Sequence, residues 1–173
     1  MPVRRGRGVT NEEILSRLKD AFPDVAFQVQ TEETKDFTLI VPAERLVEVA
    51  THLRDHLDFD YLSNVTSVDY PDRFEVVYHL FSMKRGGGVL TLKVHLPDKE
   101  HPEVDSVTPI WPGANYQERE VYDLMGISFR NHPDLRRIML WDGFPGHPLR
   151  KDFENRLYTY KELEPTRPKP PNW

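Results

Sequence analysis

The sequence predicts an α+β fold, a mixed or antiparallel sheet with helices on one face, followed by an extended C-terminal arm rich in proline and aromatic residues. Apolar residues recur at helical spacing or in alternation, in the order helix, two strands, helix, three strands, which is typical of an α+β domain. The length of 173 residues suits one domain with its own core. The final segment combines many prolines with many aromatic residues, which matches neither a compact domain nor a disordered tail.

Capping signals and apolar spacing predict the first elements. Thr10 and Glu13 form a capping-box pattern, and the apolar residues that follow at helical spacing predict a helix that Pro23 ends. Alternation over residues 25–29 predicts a half-buried strand, and residues 37–41 predict a second one after a turn.

A second helix and three further strands complete the predicted domain. Pro42 suits the first turn of a helix whose apolar face continues to Leu57. Residues 84–88 predict a hairpin connection between the last two strands, because they are basic and glycine-rich. A helix is predicted over residues 114–125, with Gly126 as its left-handed stop, after an irregular stretch over 97–112. The strands are predicted over residues 61–68, 74–81 and 89–96.

The chain is divided at Gly126 into a predicted α+β domain, residues 1–126, and an arm, residues 127–173. The arm holds seven prolines and seven aromatic residues. It carries nine Lys/Arg and six Asp/Glu, a charge of +3 in a chain of −5, so residues 1–126 hold −8. Large aromatic side chains are typical of interfaces, so we expect the arm to dock on another protein.

Composition excludes several classes of function. There is no cysteine, which excludes disulfides, thiolate-bound iron–sulfur clusters and a cysteine nucleophile. The net charge of −5 argues against nucleic-acid binding. No apolar run approaches the roughly 20 residues that span a bilayer, and the basic N-terminus does not resemble a signal peptide. We therefore expect a cytoplasmic protein that reaches a membrane only through partners.

Two weaker sequence patterns, a histidine pair and a glycine run, are each compatible with a binding site. His52 and His56 lie four residues apart on the second helix, a spacing that can hold a metal, but a solvated helix face is the favoured interpretation. The glycine run at 86–88 precedes a strand rather than a helix, so it indicates a flexible hairpin rather than a phosphate loop.

The residues from Glu118 to Met139 carry the most distinctive pattern. Two carboxylates at helical spacing, Glu120 and Asp123, precede His132, so an acid–base site is one interpretation. The other is a salt-bridged structural network, which the residues alone favour because carboxylate–arginine pairs on helices are often only structural.

This block resembles the signature of the C subunit of respiratory complex I, the 30-kDa subunit family. The family pattern is Glu-Arg-Glu, two free residues, an acid, two apolar residues, six free residues, His or Lys, then a basic residue before an apolar pair. The downstream residues 141–152 resemble a second family motif, Gly-His-Pro-Leu-Arg-Lys-Asp. The first pattern is met at Glu118, Arg119, Glu120, Asp123, Leu124, Met125, His132, Arg136, Ile138 and Met139.

The resemblance implies a peripheral-arm subunit of a proton-pumping NADH–quinone oxidoreductase, with an α+β domain and a C-terminal arm that lies along the D subunit of that complex. It implies no catalytic, cofactor-binding or metal-ligating residue in this chain. FMN, iron–sulfur clusters and quinone would belong to partner subunits, chiefly the D and B subunits near the quinone pocket. The location implied is peripheral, on the cytoplasmic face of the inner membrane.

The role implied for the chain is support and assembly of the quinone-reducing module. We interpret the charged residues of the first motif as a network that fixes where the arm leaves the domain, and those of the second motif as docking contacts. The network is Glu118, Arg119, Glu120, Asp123, His132, Arg136 and Arg137. The docking contacts are Trp141, Phe144, Arg150 and Lys151.

Two alternatives stay open. The chain could serve in a sister complex, a membrane-bound hydrogenase or a ferredoxin-accepting complex, which use a related protein. It could also be a stand-alone enzyme that uses Glu118, Glu120, Asp123 and His132, although a solitary enzyme has no reason to expose the arm's aromatic residues.

Overall fold

A computed structural model describes residues 9–30, 36–86, 88–159 and 162. Within them, three α-helices pack on a five-stranded mixed sheet, and a separate pair of short strands follows the large sheet in the chain. The predicted α+β class is confirmed.

The first helix, α1, spans Asn11–Ala21 and begins as its capping signal predicts. The Glu13 backbone N–H donates to Thr10 Oγ1 over 3.2 Å. The Glu13 carboxylate pairs with Arg17, which lies four residues later on the same helix, at 2.7 Å. Ile14 is one of the residues that α1 buries in the core.

The second helix, α2, spans Leu46–Leu57 and follows a 3-10 turn at Ala43–Arg45, next to the predicted Pro42. Its buried residues repeat every three to four positions, which is the spacing of one helix face. The helix ends at Asp58, which takes the left-handed conformation with φ of 54°.

The large sheet has five strands: β1 Gln28–Gln30, β2 Phe37–Ile40, β3 Tyr61–Asp69, β4 Phe74–Phe81 and β5 Leu90–Leu96. They occur in the spatial order β1-β2-β5-β4-β3. β2 pairs in parallel with β5, and the other pairs are antiparallel. The predicted β4–β5 pairing is confirmed, while residue 87 of its connection and residues 31–35 of the predicted first turn lie outside the described residues.

One face of the sheet builds the core with the helices. Alternate residues of the central strands, such as Tyr78 of β4 and Leu92 of β5, belong to one buried apolar cluster with residues of all three helices. On the other face, Glu75 pairs with Lys93 Nζ at 3.0 Å and with His95 Nε2 at 2.9 Å. The alternation of side chains along a strand therefore separates the core from a polar face.

Short strands account for the differences from the sequence prediction. The strand expected over residues 25–29 is β1 at Gln28–Gln30. The stretch expected to be irregular contains β6, Glu103–Asp105, which pairs in parallel with β7, Ser128–Arg130. Strands of three residues are too short to produce a detectable alternation.

The boundary of the folded domain lies beyond Gly126. Ile127 and Phe129 are buried in the core, and β7 follows the third helix, α3, at Ala114–Met125. Residues up to Arg130 therefore belong structurally to the domain, because β7 is paired with a strand of its body.

None of the helices in the described part of the chain is both long and apolar enough to cross a lipid bilayer.

Candidate functional site

The first part of the first motif, residues 118–125, lies on α3, which is fixed by a buried apolar stripe and a glycine stop. Ala114, Val121 and Met125 of this helix face the core. Gly126 ends the helix in the left-handed region, with φ of 73°, and its N–H donates to Tyr122 O at 2.9 Å. Glu118 lies on this buried side, while Arg119, Glu120 and Asp123 lie on the other faces of α3.

Glu118 ties α3 to the loop that precedes it. Its fully buried carboxylate accepts from the Val107 N–H at 2.8 Å and from Ser106 Oγ at 2.6 Å. Burial raises the pKa of Glu118 to about 7, although both hydrogen bonds favour the charged form. The carboxylate is therefore a proton-binding group inside the domain.

His132 lies beside this carboxylate without a direct hydrogen bond to it. Its Nε2 is 3.9 Å from Glu118 Oε2, and 3.1 Å from the Asn115 carbonyl, to which it donates. Its Nδ1 accepts from the Asp134 N–H at 3.0 Å. In this pattern Nε2 is the donor and Nδ1 is the acceptor. Both Glu118 and His132 have fully buried side chains, so the pair does not face an open cleft.

Asp123 holds the loop that follows β7. Its buried Oδ2 accepts from three successive backbone N–H groups, those of Ile138, Met139 and Leu140, at 3.0, 2.7 and 2.9 Å. Its Oδ1 accepts from Arg137 Nη1 at 2.9 Å. Burial alone would raise the pKa of Asp123, but these donors outweigh it and hold the pKa below its ordinary value.

Arg137 joins the first motif to the second. Besides the Asp123 carboxylate, it donates through Nη2 to Gly146 O at 3.1 Å and to Phe144 O at 3.4 Å. A planar guanidinium can serve several acceptors in this way. Gly146 has φ of 103°, and a Cβ there would lie 3.2 Å from the Phe153 ring. Glycine is therefore required at the point that Arg137 contacts.

The second motif covers the C-terminal end of α3. His147 Nδ1 donates to the Asp123 carbonyl at 2.9 Å, and the Leu149 N–H donates to the Leu124 carbonyl at 3.0 Å. These carbonyls belong to the last turn, where helical partners are missing. The His147 ring also covers Gly126, where an added Cβ would lie 2.5 Å from ring carbon Cδ2. We call the contacts of Asp123, Arg137 and His147 the α3 clamp.

Two further arginines of the first motif differ in exposure. Arg119 is buried, and its Nε donates to the Arg136 carbonyl at 3.1 Å. The Arg136 side chain is exposed and pairs with Asp134 at 2.9 Å. Glu120 is exposed, and its carboxylate has no hydrogen bond or ion pair with any other described residue.

Arg150 and Lys151, expected to dock on a partner, make contacts within the chain. Arg150 Nη2 donates to the Lys99 carbonyl at 3.1 Å, and its guanidinium lies 4.9 Å from the centre of the Phe74 ring. The Lys151 N–H donates to buried Asp69 at 2.8 Å, while its side chain is exposed. The carboxylate of Asp69 also binds the ammonium group of Lys99.

Asp69 was missed by sequence reasoning because nothing in its neighbourhood marks a strand-end carboxylate that binds a residue 82 positions later. His147 lies within the second motif, but the motif predicts no separate role for it. Membership of the second motif could have marked His147 as a site residue, whereas no sequence pattern marks Asp69.

The predicted docking aromatics form a small cluster within the arm. The ring centres of Trp141 and Phe144 lie 4.8 Å apart in an edge-on arrangement, and those of Phe144 and Phe153 lie 6.1 Å apart. All three side chains are half-buried. Tyr160 and Trp173, also counted among the arm's aromatics, lie outside the described residues.

The residues of the two weaker patterns are also located by the structure. The rings of His52 and His56 lie 4.6 Å apart, but no group of three or more potential metal ligands occurs among the described residues. The pKa of His52 is lowered by burial and by His56. Gly86 and Gly88 lie before β5, with no helix N-terminus after them.

Comparisons with known proteins relate the chain to subunits of respiratory complexes. It resembles a chain of the membrane-bound sulfane sulfur reductase, an archaeal respiratory membrane complex, with a TM-score of 0.69 and 25% identity over 88% of this chain and 91% of the other. It also resembles the trypsin-resistant fragment (1–134) of Nqo5, with a TM-score of 0.60 and 32% identity over 72% of this chain and 98% of that fragment.

Residues 39–159 match the sequence model of the family described as respiratory-chain NADH dehydrogenase, 30 Kd subunit, and the chain belongs to this family. The C subunit of the NADH-quinone oxidoreductase of Moorella thermoacetica is 46% identical over 151 residues, which cover 86% of this chain and 97% of the relative. The corresponding C subunit of Roseiflexus sp. strain RS-1 is 46% identical over 168 residues, covering 87% and 95%. The resemblance seen in residues 118–139 is thereby confirmed.

Proposed function

We propose that this chain is a cofactor-free peripheral subunit of a proton-pumping NADH:quinone oxidoreductase, which supports the quinone-reducing module and helps to assemble it beside the D and B subunits. The α3 clamp carries the proposal. Asp123 and Arg137 bind each other and backbone groups of their own chain, and they do not line an open cleft. Such a device holds a segment in place for another protein to bind.

The burial of the motif's carboxylates supports this role over a stand-alone enzyme. A general acid or base must reach the proton that it transfers. Glu118 and Asp123 are fully buried and hydrogen-bonded within the chain, and Glu120, the exposed carboxylate, has no His neighbour bonded to it among the described residues.

In this proposal FMN, iron–sulfur clusters and quinone lie in partner subunits. The complete lack of cysteine supports that division for the clusters, because thiolates are their usual ligands. The complex would hold the chain peripherally at the cytoplasmic face of the inner membrane, through protein contacts rather than through a spanning helix.

A sister membrane complex is the second candidate. Its support is the similarity to a chain of the sulfane sulfur reductase, which extends over 88% of this chain. Both candidates share the structural role and differ in the electron donor and acceptor of the assembled enzyme.

Co-purification tests the proposal. A tagged full-length chain, expressed in the cells that natively make it, is expected to bring down a multisubunit membrane complex that contains the D and B subunits and oxidises NADH with quinone. A complex without NADH-oxidising activity would favour the sister complex. A chain that purifies alone and hydrolyses substrates would contradict both candidates.

A further inference from the structure

The outer face of α3 is a ridge that the rest of the domain leaves uncovered. Tyr116, Glu120 and Leu124 follow one another at i, i+4 and i+8, so they share one side of the helix. The apolar buried residues of α3, such as Val121 and Met125, lie on the opposite side, while buried Arg119 and Asp123 border the ridge. Tyr116 is 69% exposed and Glu120 is exposed, while Leu124 is half-buried.

The two motifs add an apolar side chain to each flank of this ridge. The Met139 N–H is bonded to Asp123, which places Met139 along the helix, and Met139 is 64% exposed. The Leu149 N–H is bonded to the Leu124 carbonyl, which places Leu149 at the helix end, and Leu149 is 60% exposed. We call these five residues the ridge surface. Clustered large apolar side chains on a surface mark an interaction site.

Glu120 lies within this surface, and its negative charge has no ion pair among the described residues. The other acidic residues of the block are all engaged: Glu118 with Ser106, Asp123 with Arg137, and Asp134 with Arg136. Glu120 has no such contact with any described residue. Glu120 lies between Tyr116 and Leu124 on one side of the helix, and a carboxylate beside apolar groups is matched by a partner cation that becomes shielded from water on binding.

We propose that the ridge surface docks another protein of the same complex, which places an arginine or lysine on Glu120 and apolar side chains against Tyr116, Met139 and Leu149. The proposal rests on the proposed function, since it requires the chain to work inside a complex. It gives a role to Glu120, the exposed member of the Glu-Arg-Glu motif, which takes no part in the α3 clamp.

Charge selects this occupant over two others. In a two-fold contact between copies of this chain, each Glu120 would approach a surface that contains another Glu120, and like charges disfavour that contact. An anionic lipid surface would likewise repel an unpaired carboxylate. A cationic partner protein satisfies both the charge and the apolar rim.

Charge reversal in the assembled complex tests the proposal. In cells lacking the native chain, Glu120→Arg is expected to lower the amount of assembled complex on native gels about tenfold, and Glu120→Gln by less, because a tenfold change needs only about 1.4 kcal/mol. Thermal unfolding of the purified full-length Glu120→Arg chain is expected to match wild type, because Glu120 has no bonded partner in the described chain. The matched control is Glu100→Arg, an exposed glutamate on the loop after β5, which is expected to assemble normally.

A photo-crosslinking residue identifies the occupant. Placed at Tyr116 in the assembled complex, it is expected to capture another protein of the complex, whereas the same residue at exposed Met83 is expected not to capture that protein. A crosslink to a second copy of the chain or to lipid would overturn the proposal, and so would normal assembly of Glu120→Arg. These failures differ from failure of the proposed function, in which the wild-type chain would co-purify with no complex at all.

Discussion

Different forces hold the domain and the segment that follows it. Up to Phe129, the chain contributes side chains to one continuous buried apolar cluster. From residue 131 to 159, which we call the C-terminal segment, no described residue is buried as a whole, although the side chain of His132 is. Leu135 packs against the cluster from a partly buried position. The segment is held mainly by hydrogen bonds from its backbone and arginines to carboxylates and carbonyls of the domain.

The difference teaches how the segment can be stable without a core of its own. Apolar burial is non-directional and tolerates many sequences of similar volume. A carboxylate that collects three backbone N–H groups fixes both the position and the course of the loop that it binds. The domain is thus specified by pattern, and the segment by a few individual residues. Substitutions in the two regions should therefore produce different kinds of damage.

The largest expected effect is at Asp123. Asp123→Ala removes the acceptor of three backbone N–H groups and leaves Arg137 without its carboxylate, so the attachment of the segment should weaken by about 3–5 kcal/mol, the cost typical of breaking a buried ion pair. Limited trypsin digestion should then cut at Arg136 and Arg137 at least tenfold faster, while far-UV circular dichroism stays close to wild type. Asp142→Ala, an exposed aspartate in the same segment, serves as the control. Equal cleavage rates for the two variants would show that the clamp does not hold the segment.

The core counterpart is Leu92, which is fully buried on the central strand β5. Leu92→Ala should destabilise the whole domain by about 3 kcal/mol, because it leaves a cavity in a closely packed cluster. Chemical denaturation should shift as one cooperative transition, with native-state trypsin cleavage of the segment little changed. Val68→Ala, at a half-exposed position on β3, should cost less than about 1 kcal/mol. A Leu92→Ala chain that loses the segment first would erase the distinction between the two regions.

Two carboxylates on the same helix should respond to pH in opposite directions. The pKa of Glu118 is raised from 4.5 to about 7, so the folded state binds its proton more tightly than the unfolded state does. The contribution of Glu118 is therefore most favourable below pH 4.5 and declines by about 3 kcal/mol as pH rises to 7. The pKa of Asp123 is lowered, so its contribution is present at neutral pH and is lost in acid, below the ordinary value of 3.8.

Glu118→Gln tests this assignment because glutamine keeps the shape but carries no charge. Denaturation curves at pH 5 and pH 8 should show a smaller stability difference for Glu118→Gln than for wild type, with the variant gaining relative stability at pH 8. Glu100→Gln, on an exposed loop, should follow wild type at both values. If Glu118→Gln and wild type changed in parallel, another group would be responsible for the pH dependence.

The same contrast explains what the sequence could predict. The regular alternation in β4 and β5 and the capping signal of Thr10 located most domain elements, because apolar periodicity is itself the physical cause of those elements. Asp123 could be marked as part of a motif, but its three N–H partners are backbone groups and leave no trace in residue identity. The hydrogen bond from the Lys151 N–H to Asp69 could not be predicted from the sequence, because it depends on the tertiary path of the chain.

The smallest expected effects distinguish two neighbouring arginines, Arg136 and Arg137. The Arg137 side chain is 16% exposed and donates to Asp123 and to two carbonyls of the second motif, whereas that of Arg136 is 68% exposed and pairs with the exposed Asp134. Arg137→Ala should weaken the segment by about 2 kcal/mol, while Arg136→Ala should change its stability by less than about 0.5 kcal/mol. Arg136→Ala also keeps the backbone carbonyl that Arg119 binds.

Chymotrypsin cleavage at Trp141 and Phe144 measures both effects without using the mutated arginines as cleavage sites. Faster cleavage in Arg137→Ala alone would place the clamp at Arg137, and equal acceleration in both variants would contradict that assignment. The amount of assembled complex adds the functional half of the test. If Arg136→Ala lowers assembly while leaving cleavage unchanged, the exposed guanidinium of Arg136 contacts a partner. Arg137 would then hold the C-terminal segment on the domain, and the adjacent Arg136 would bind the partner protein.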